Sequence, residues 1–225
     1  MPKIEAVVFD AYGTLLDIDG AMAAHAERLG DRWPLLSAEW RAKQLEYTWV
    51  RSLTGRAHHE DFWLCTRDAL AFVCARHGLT DPALQRALME AYRLLPAYPE
   101  VPAMLRALRE KGIATAILSN GTPGMLADAV EAAGIARLVD EVLSVESVGI
   151  FKPAPAVYRL GTRQFGCTAD ELVFVSGNAW DGQAAHAFGM RVFRVNRRGA
   201  PDEYGLADAG VPSVTDLSGL VDLLS

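Results

Sequence analysis

From Val101 to Val195 the chain repeats one pattern, a helical stretch followed by a short apolar run with few residues between them. Val101 to Lys111 reads as a helix closed by Gly112, and Ile113 to Leu118 as a strand. Pro123 to Ala133 is a helix closed by Gly134, Val139 to Ser144 a strand, and Ala154 to Phe165 a helix. Leu172 to Val175 is a strand, Trp180 to Phe188 a helix closed by Gly189, and Val192 to Val195 a strand, with a terminal helix over Asp216 to Leu224. Such alternation with short connections predicts a parallel sheet covered by helices on both faces. A further strand precedes it, because Ile4 to Asp10 is apolar, rich in β-branched residues and ends in an acid. Between Gly20 and Leu95 no strand pattern occurs. Ala21 to Leu29, Ser37 to Leu53, Asp61 to His77 and Pro82 to Leu94 all look helical, with Ser37 read as a capping residue. The expected architecture is α/β. A Rossmann-like, doubly wound parallel-sheet core spans residues 1–17 and 97–225, with a helical cap subdomain inserted at 18–96.

Composition narrows the function. In 225 residues, 51% are hydrophobic, enough to bury a substantial core. The formal charge of -6 leaves no basic excess for a nucleic-acid backbone or an anionic lipid surface. No run approaches the ~18 apolar residues of a membrane span. The N-terminal residues run straight into a strand pattern, so no signal peptide is expected. Cys65, Cys74 and Cys167 are too few and too scattered for a disulfide framework or a zinc site. The expectation is a cytoplasmic, reduced protein.

In doubly wound sheets, ligands bind beyond the carboxyl ends of the strands. Asp10 ends the first strand, where it serves either as a carboxylate nucleophile or as a cap on the following turn. Ser119, in Leu118-Ser119-Asn120-Gly121, either binds an anion or the Asp10 carboxylate, or caps a turn. Lys152, one of four lysines, precedes Pro153 at a helix start and points either into a site or into solvent. In Ser176-Gly177-Asn178-Ala179-Trp180-Asp181, the last residue either positions water, pairs with Lys152, or serves as a first-turn acid. Each segment alone has a plain structural explanation. Four polar segments at four strand ends of one topology together point to a site.

The ordered set Asp10-x-Tyr12-Gly13-Thr14, Ser119-Asn120-Gly121, Lys152-Pro153 and Ser176-x-Asn178-x-x-Asp181 resembles the haloacid dehalogenase superfamily, and within it the L-2-haloacid dehalogenases. The cap segment from Trp40 to Trp49, carrying Arg41, is similar to that family's Arg-bearing cap helix, and Asp61-Phe62-Trp63 also matches. Phosphatases of the superfamily carry Asp at the positions of Tyr12 and Gly177. A phenol with a pKa of ~10 poorly replaces a carboxylic acid. Glycine offers magnesium no side-chain oxygen.

The resemblance implies hydrolysis of short 2-haloalkanoates, such as 2-chloropropionate or chloroacetate, to 2-hydroxy acids. It implies an ester on Asp10 and no cofactor or metal ion. Thr14, Ser119 and Lys152 would hold the Asp10 carboxylate by charge and hydrogen bonding. Asp181 with Lys152 and Asn178, beside Ser176, would position the hydrolytic water. Arg41 would stabilise the halide, the substrate carboxylate, or both; without the resemblance it reads as an exposed helix residue. Ser119 and Asn120 would receive the substrate carboxylate. Tyr12, Leu45, Phe62, Tyr158 and Trp180 would wall the alkyl pocket, or simply pack the core. Similarity also suggests a homodimer.

Three features depart from relatives: Ala42 where some have Gln, Gly177 where some have Ser, and a longer connection from Arg56 to Asp61. His58 and His59 lie in that connection and read as solvated rather than as ligands. The competing readings are a magnesium-dependent phosphatase of the same superfamily and a catalytically silent relative that binds a small carboxylate or a protein partner.

Overall fold

The computed structural model describes residues 3–55 and 58–224. Arg56 and Ala57 of the long connection lie outside the described residues. The core is a six-stranded sheet in the order β3-β2-β1-β4-β5-β6. Its strands are β1 (Ala6–Phe9), β2 (Ala114–Ser119), β3 (Glu141–Ser144), β4 (Leu172–Ser176), β5 (Arg191–Val195) and β6 (Ser213–Val214). Every neighbouring pair is parallel. β1 and β4 are buried along their whole length, as a sheet covered on both faces requires. β6 is a two-residue edge strand that hydrophobic patterning does not reveal.

The strand order turns at β1, which pairs with β2 on one side and β4 on the other. Phe9 stands opposite both Ile117 and Val175. Asp10, Ser119 and Ser176 therefore emerge together at the carboxyl edge of three adjacent strands, at the crevice where such sheets bind ligands.

Between β1 and the rest of the sheet the chain forms α1 (Gly20–Ala23), α2 (Ala26–Leu29), α3 (Trp33–Thr54), α4 (Phe62–Arg76) and α5 (Pro82–Arg93). The expected single helix over Ala21 to Leu29 is two short turns broken at His25. α3 begins four residues before Ser37, with a proline in its first turn whose missing N–H costs nothing there. Ser37 is thus not a cap; it is buried in the helix and its hydroxyl donates to Asp19 Oδ1 at 2.7 Å. Asp61 does cap α4, accepting from the Leu64 amide at 2.8 Å. The two segments entering and leaving these helices lie side by side. Asp17 N donates to Pro96 O (2.9 Å) and Tyr98 N to Leu15 O (3.0 Å).

The remaining helices are α6 (Val101–Glu110), α7 (Pro123–Ala132), α8 (Pro155–Phe165), α9 (Ala179–Phe188) and α10 (Leu220–Leu223). α10 is shorter than the expected Asp216 to Leu224, since residues 216–219 form turns. Among the described residues no helix is long and apolar enough to cross a membrane.

Candidate active site

Asp10 follows β1 and is nearly buried, at 5% exposure. Lys152 Nζ donates to its Oδ1 at 3.0 Å. Asn178 Nδ2 donates to Oδ2 at 2.8 Å and the Thr14 hydroxyl to the same oxygen at 3.1 Å. Thr14 is held in turn, because its Oγ1 accepts from the Gly177 amide at 2.8 Å. These donors converge because β1, the loop after β4 and the cis Lys152-Pro153 turn meet at one sheet edge.

Lys152 spans two acids. Its ammonium also donates to Asp181 Oδ2 at 2.7 Å and lies 5.0 Å from the Phe174 ring centroid. Burial works to lower the pKa of this amine, but the facing Asp10 and Asp181 carboxylates outweigh it and hold the pKa above its usual value. Its backbone is fixed by Asn120, whose Oδ1 accepts from Lys152 N at 2.9 Å. Asp181, in the first turn of α9, is completely buried. Burial pushes its carboxyl up to about 6, against the opposing pull of Lys152. Its Oδ1 accepts from the Tyr158 hydroxyl at 2.5 Å, and its Oδ2 from Ser176 Oγ at 3.4 Å. Burial raises the Tyr158 phenol, so it stays a donor toward Asp181.

Several residues sit where the sequence did not put them. Ser119 is wholly buried, and its Oγ accepts from the Gly121 amide at 3.2 Å rather than bonding Asp10. Asn178, expected near a water, grips Asp10 directly and also donates to Tyr12 O at 3.1 Å. Tyr158 does not wall an alkyl pocket; it packs on Phe174 and Phe188 behind Asp181. Tyr12 and Phe62 are buried neighbours in an aromatic cluster with Tyr92. Burial raises the Tyr12 phenol well above its usual range.

A cavity of about 320 Å³ opens beside Asn178, lined also by Gly13, Ile18, Arg41, Leu45 and Trp180. Asn178 therefore links this space to Asp10. Arg41 comes from α3, with Nη1 donating to Gln44 Oε1 at 2.7 Å and Nη2 to Tyr12 O at 3.4 Å. Four residues lining the cavity carry a buried donor without a hydrogen-bond partner: Arg41 Nε, Trp180 Nε1, Arg194 Nε and Arg197 Nε. Buried donors are ordinarily satisfied, so four orphans on residues around one cavity mark a place for an acceptor or anion. Sequence reasoning missed Gln44 and its partners. Gln44 Nε2 donates to Thr66 Oγ1 at 2.6 Å and to Tyr92 Oη at 3.0 Å, holding the amide that orients Arg41. The available signal was spacing, since Gln44 lies three residues after Arg41 on the same helical face.

Gly177 explains why no carboxylate stands in that loop. A Cβ there would lie 2.2 Å from the Gly13 carbonyl oxygen. With a buried tyrosine phenol at position 12, neither position offers magnesium a carboxylate.

The family model for haloacid dehalogenase-like hydrolases matches residues 4–189. The chain is 42% identical over 224 residues to (S)-2-haloacid dehalogenase 1 of Pseudomonas sp. (strain CBS-3), covering 99% of this chain and 96% of that protein. A dehalogenase crystallised with an intermediate complex superposes with a TM-score of 0.94 at 40% identity, over 99% of this chain and 98% of that one. The L-2-haloacid dehalogenase of Xanthobacter autotrophicus with chloropropionic acid covalently bound gives a TM-score of 0.84 at 36% identity, over 98% of both chains. Sequence, fold and strand-end constellation agree: the chain belongs to the haloacid dehalogenase-like hydrolases and, among them, to the L-2-haloacid dehalogenase family.

Proposed function

We propose that this enzyme hydrolyses short L-2-haloalkanoic acids to 2-hydroxy acids through an ester on Asp10. The observation that carries the assignment of residues is the Asp10–Lys152–Asp181 relay, two carboxylates joined by one buried ammonium at the sheet edge. An Asp10 carboxylate oxygen attacks C2 of the substrate in line. The carbon–halogen bond breaks with its electron pair on the halide, and C2 inverts. Holding the two reactants in line is worth up to about 7–11 kcal/mol in favourable cases. Arg41 Nε and Trp180 Nε1, unpartnered on the cavity wall, receive the negative charge of the substrate carboxylate or the departing halide. The Ser119 hydroxyl accepts from Gly121 N and has its proton left to donate to the substrate carboxylate.

Water then attacks Cγ of the Asp10 ester. Asp181 accepts its proton, and the tetrahedral intermediate expels the 2-hydroxy acid as an alkoxide, which takes the proton back. Tyr158 and Ser176 hold Asp181 in position for that exchange. Leu45 and the Trp180 ring supply the apolar side of the cavity. The cramped Gly177 loop and the buried Tyr12 do not favour a magnesium-dependent phosphatase.

The helical segment 18–96 is proposed to act as a cap on the core of residues 1–17 and 97–225. A cytoplasmic setting fits three cysteines that are all unpaired. A homodimer fits the exposed apolar side chains of Val50 and Leu53 on α3, and sedimentation of the purified protein tests it.

A single turnover in 18O-water tests the chemistry. The ester mechanism places the label in Asp10 and leaves the first product unlabelled. Label in that first product instead would mean direct attack of water on C2. Halide release from the L but not the D substrate, undiminished by a chelator, is the companion result.

A further inference from the structure

Outside the active site, the connection between α3 and α4 brings three ligand-type side chains together. His58 Nε2 lies 3.6 Å and His59 Nε2 3.3 Å from the same oxygen, Asp68 Oδ2. The three ligand atoms fall within 4.8 Å of one another. Atoms bound tetrahedrally at the 2.0–2.1 Å typical of zinc lie about 3.3 Å apart, so the spacing matches a shared ion.

The details favour a ligand role. His59 is not the solvated residue expected from its polar loop. Its side chain is 13% exposed, and the ring stacks on Tyr47 at 4.6 Å. Its Nε2 is buried and, despite the nearby carboxylate, makes no hydrogen bond. Asp68 Oδ1 is taken by Arg67 Nε at 2.7 Å, leaving Oδ2 turned to the two rings. Imidazole nitrogen with one carboxylate oxygen suits borderline divalent transition metals rather than magnesium or calcium. His58, at 80% exposure, gives such an ion a route in from solvent.

We propose that His58, His59 and Asp68 form a binding site for a divalent transition-metal ion of the zinc class, with a fourth position open to water. The ion pins the α3–α4 connection to α4. That connection is already tied to the active-site side, since Arg51 Nη2 donates to Glu60 O and Nη1 to Gly149 O, three residues before Lys152. His58 and His59 line a cavity that shares no residue with the catalytic one, and the ion takes no part in the chemical step.

Untagged full-length protein, stripped with a chelator and dialysed, is titrated calorimetrically with Zn2+, and with Co2+ followed by visible absorption. The expected result is one ion per chain and a Co2+ spectrum of tetrahedral intensity. His58→Gln and Asp68→Asn should each weaken binding at least about tenfold. His58 is exposed, so that variant leaves folding untouched. His77→Gln, a control histidine paired with Glu39, should bind as the wild type does. Wild-type protein that takes up no Zn2+, or an unchanged affinity in both His58→Gln and Asp68→Asn, overturns the proposal. Loss of halide release on chelation would equally overturn it, by making the ion catalytic.

Discussion

Lys152 Nζ and Asp181 Oδ2 face each other at 2.7 Å with at most 1% of either side chain exposed. Neither charge has water to fall back on, so each depends on the other and on Asp10 across the ammonium. Removing one partner of a buried pair strands the other, at about 3–5 kcal/mol. Lys152→Met should therefore lower unfolding free energy by about that amount in denaturant titration. It should also cut halide release far more than it changes substrate affinity. A variant with wild-type stability would show that the pair relaxes into solvent.

Asp181 has its carboxyl raised to about 6. Below that value it is protonated and cannot take a proton from water; above it, it can. Ester hydrolysis, followed in single turnovers, should fall as pH drops through about 6 and level off above it. The stability effect runs the other way. Between the ordinary 3.8 and about 6 the folded chain keeps a proton the unfolded chain has lost. This group's contribution to stability therefore declines as pH rises through that window. A hydrolysis rate indifferent to pH in that range would remove Asp181 from proton transfer.

Gly177 tolerates no side chain because its missing Cβ would sit 2.2 Å from the Gly13 carbonyl. Gly177→Ala must displace one of the two loops, and both hold Asp10's partners. The expected cost is about 1–3 kcal/mol, typical of overpacking. Activity should fall with it, since the Gly177 amide that anchors Thr14 moves. Gly124→Ala, in α7 with open space around it, serves as the control and should melt no lower than wild type. Comparison of the two melting curves and halide-release rates decides the matter.

Gln44 acts on the substrate through Arg41. Gln44→Leu removes the acceptor of Arg41 Nη1, takes away the donor to Thr66 Oγ1 and breaks the hydrogen bonds between Gln44 and Tyr92 Oη. Stability should drop by about 1–3 kcal/mol. KM for the haloacid should rise more than kcat falls, because Arg41 loses its fixed direction rather than its charge. Gln44→Glu, which keeps an acceptor for Arg41, should recover most of the KM. Equal kinetics in both variants would reduce Gln44 to a packing residue.

Much of this site is legible in one dimension. Strand–helix alternation sends the carboxyl ends of β1, β2 and β4 to one edge, so Asp10, Ser119 and Ser176 had to emerge together once the sheet formed. Helix boundaries were less legible. Ser37 resembles a cap, yet α3 starts upstream of it because the proline in its first turn nucleates the helix and Asp19 takes the serine hydroxyl.

The α/β class, the edge that carries the chemistry and the family resemblance are all written in the chain, because they follow from local periodicity and from residue types in order. Which donor meets which acceptor depends on the packed fold. Asn178 reaches back to Asp10, Tyr158 turns from the alkyl pocket to Asp181, Ser119 bonds Gly121, and Gln44 with Tyr92 aims Arg41. Most of these partners are distant in the chain, and a hydrogen bond is set by side-chain direction within a few tenths of an ångström. That direction comes from how helices pack on the sheet, which no local pattern of residues encodes.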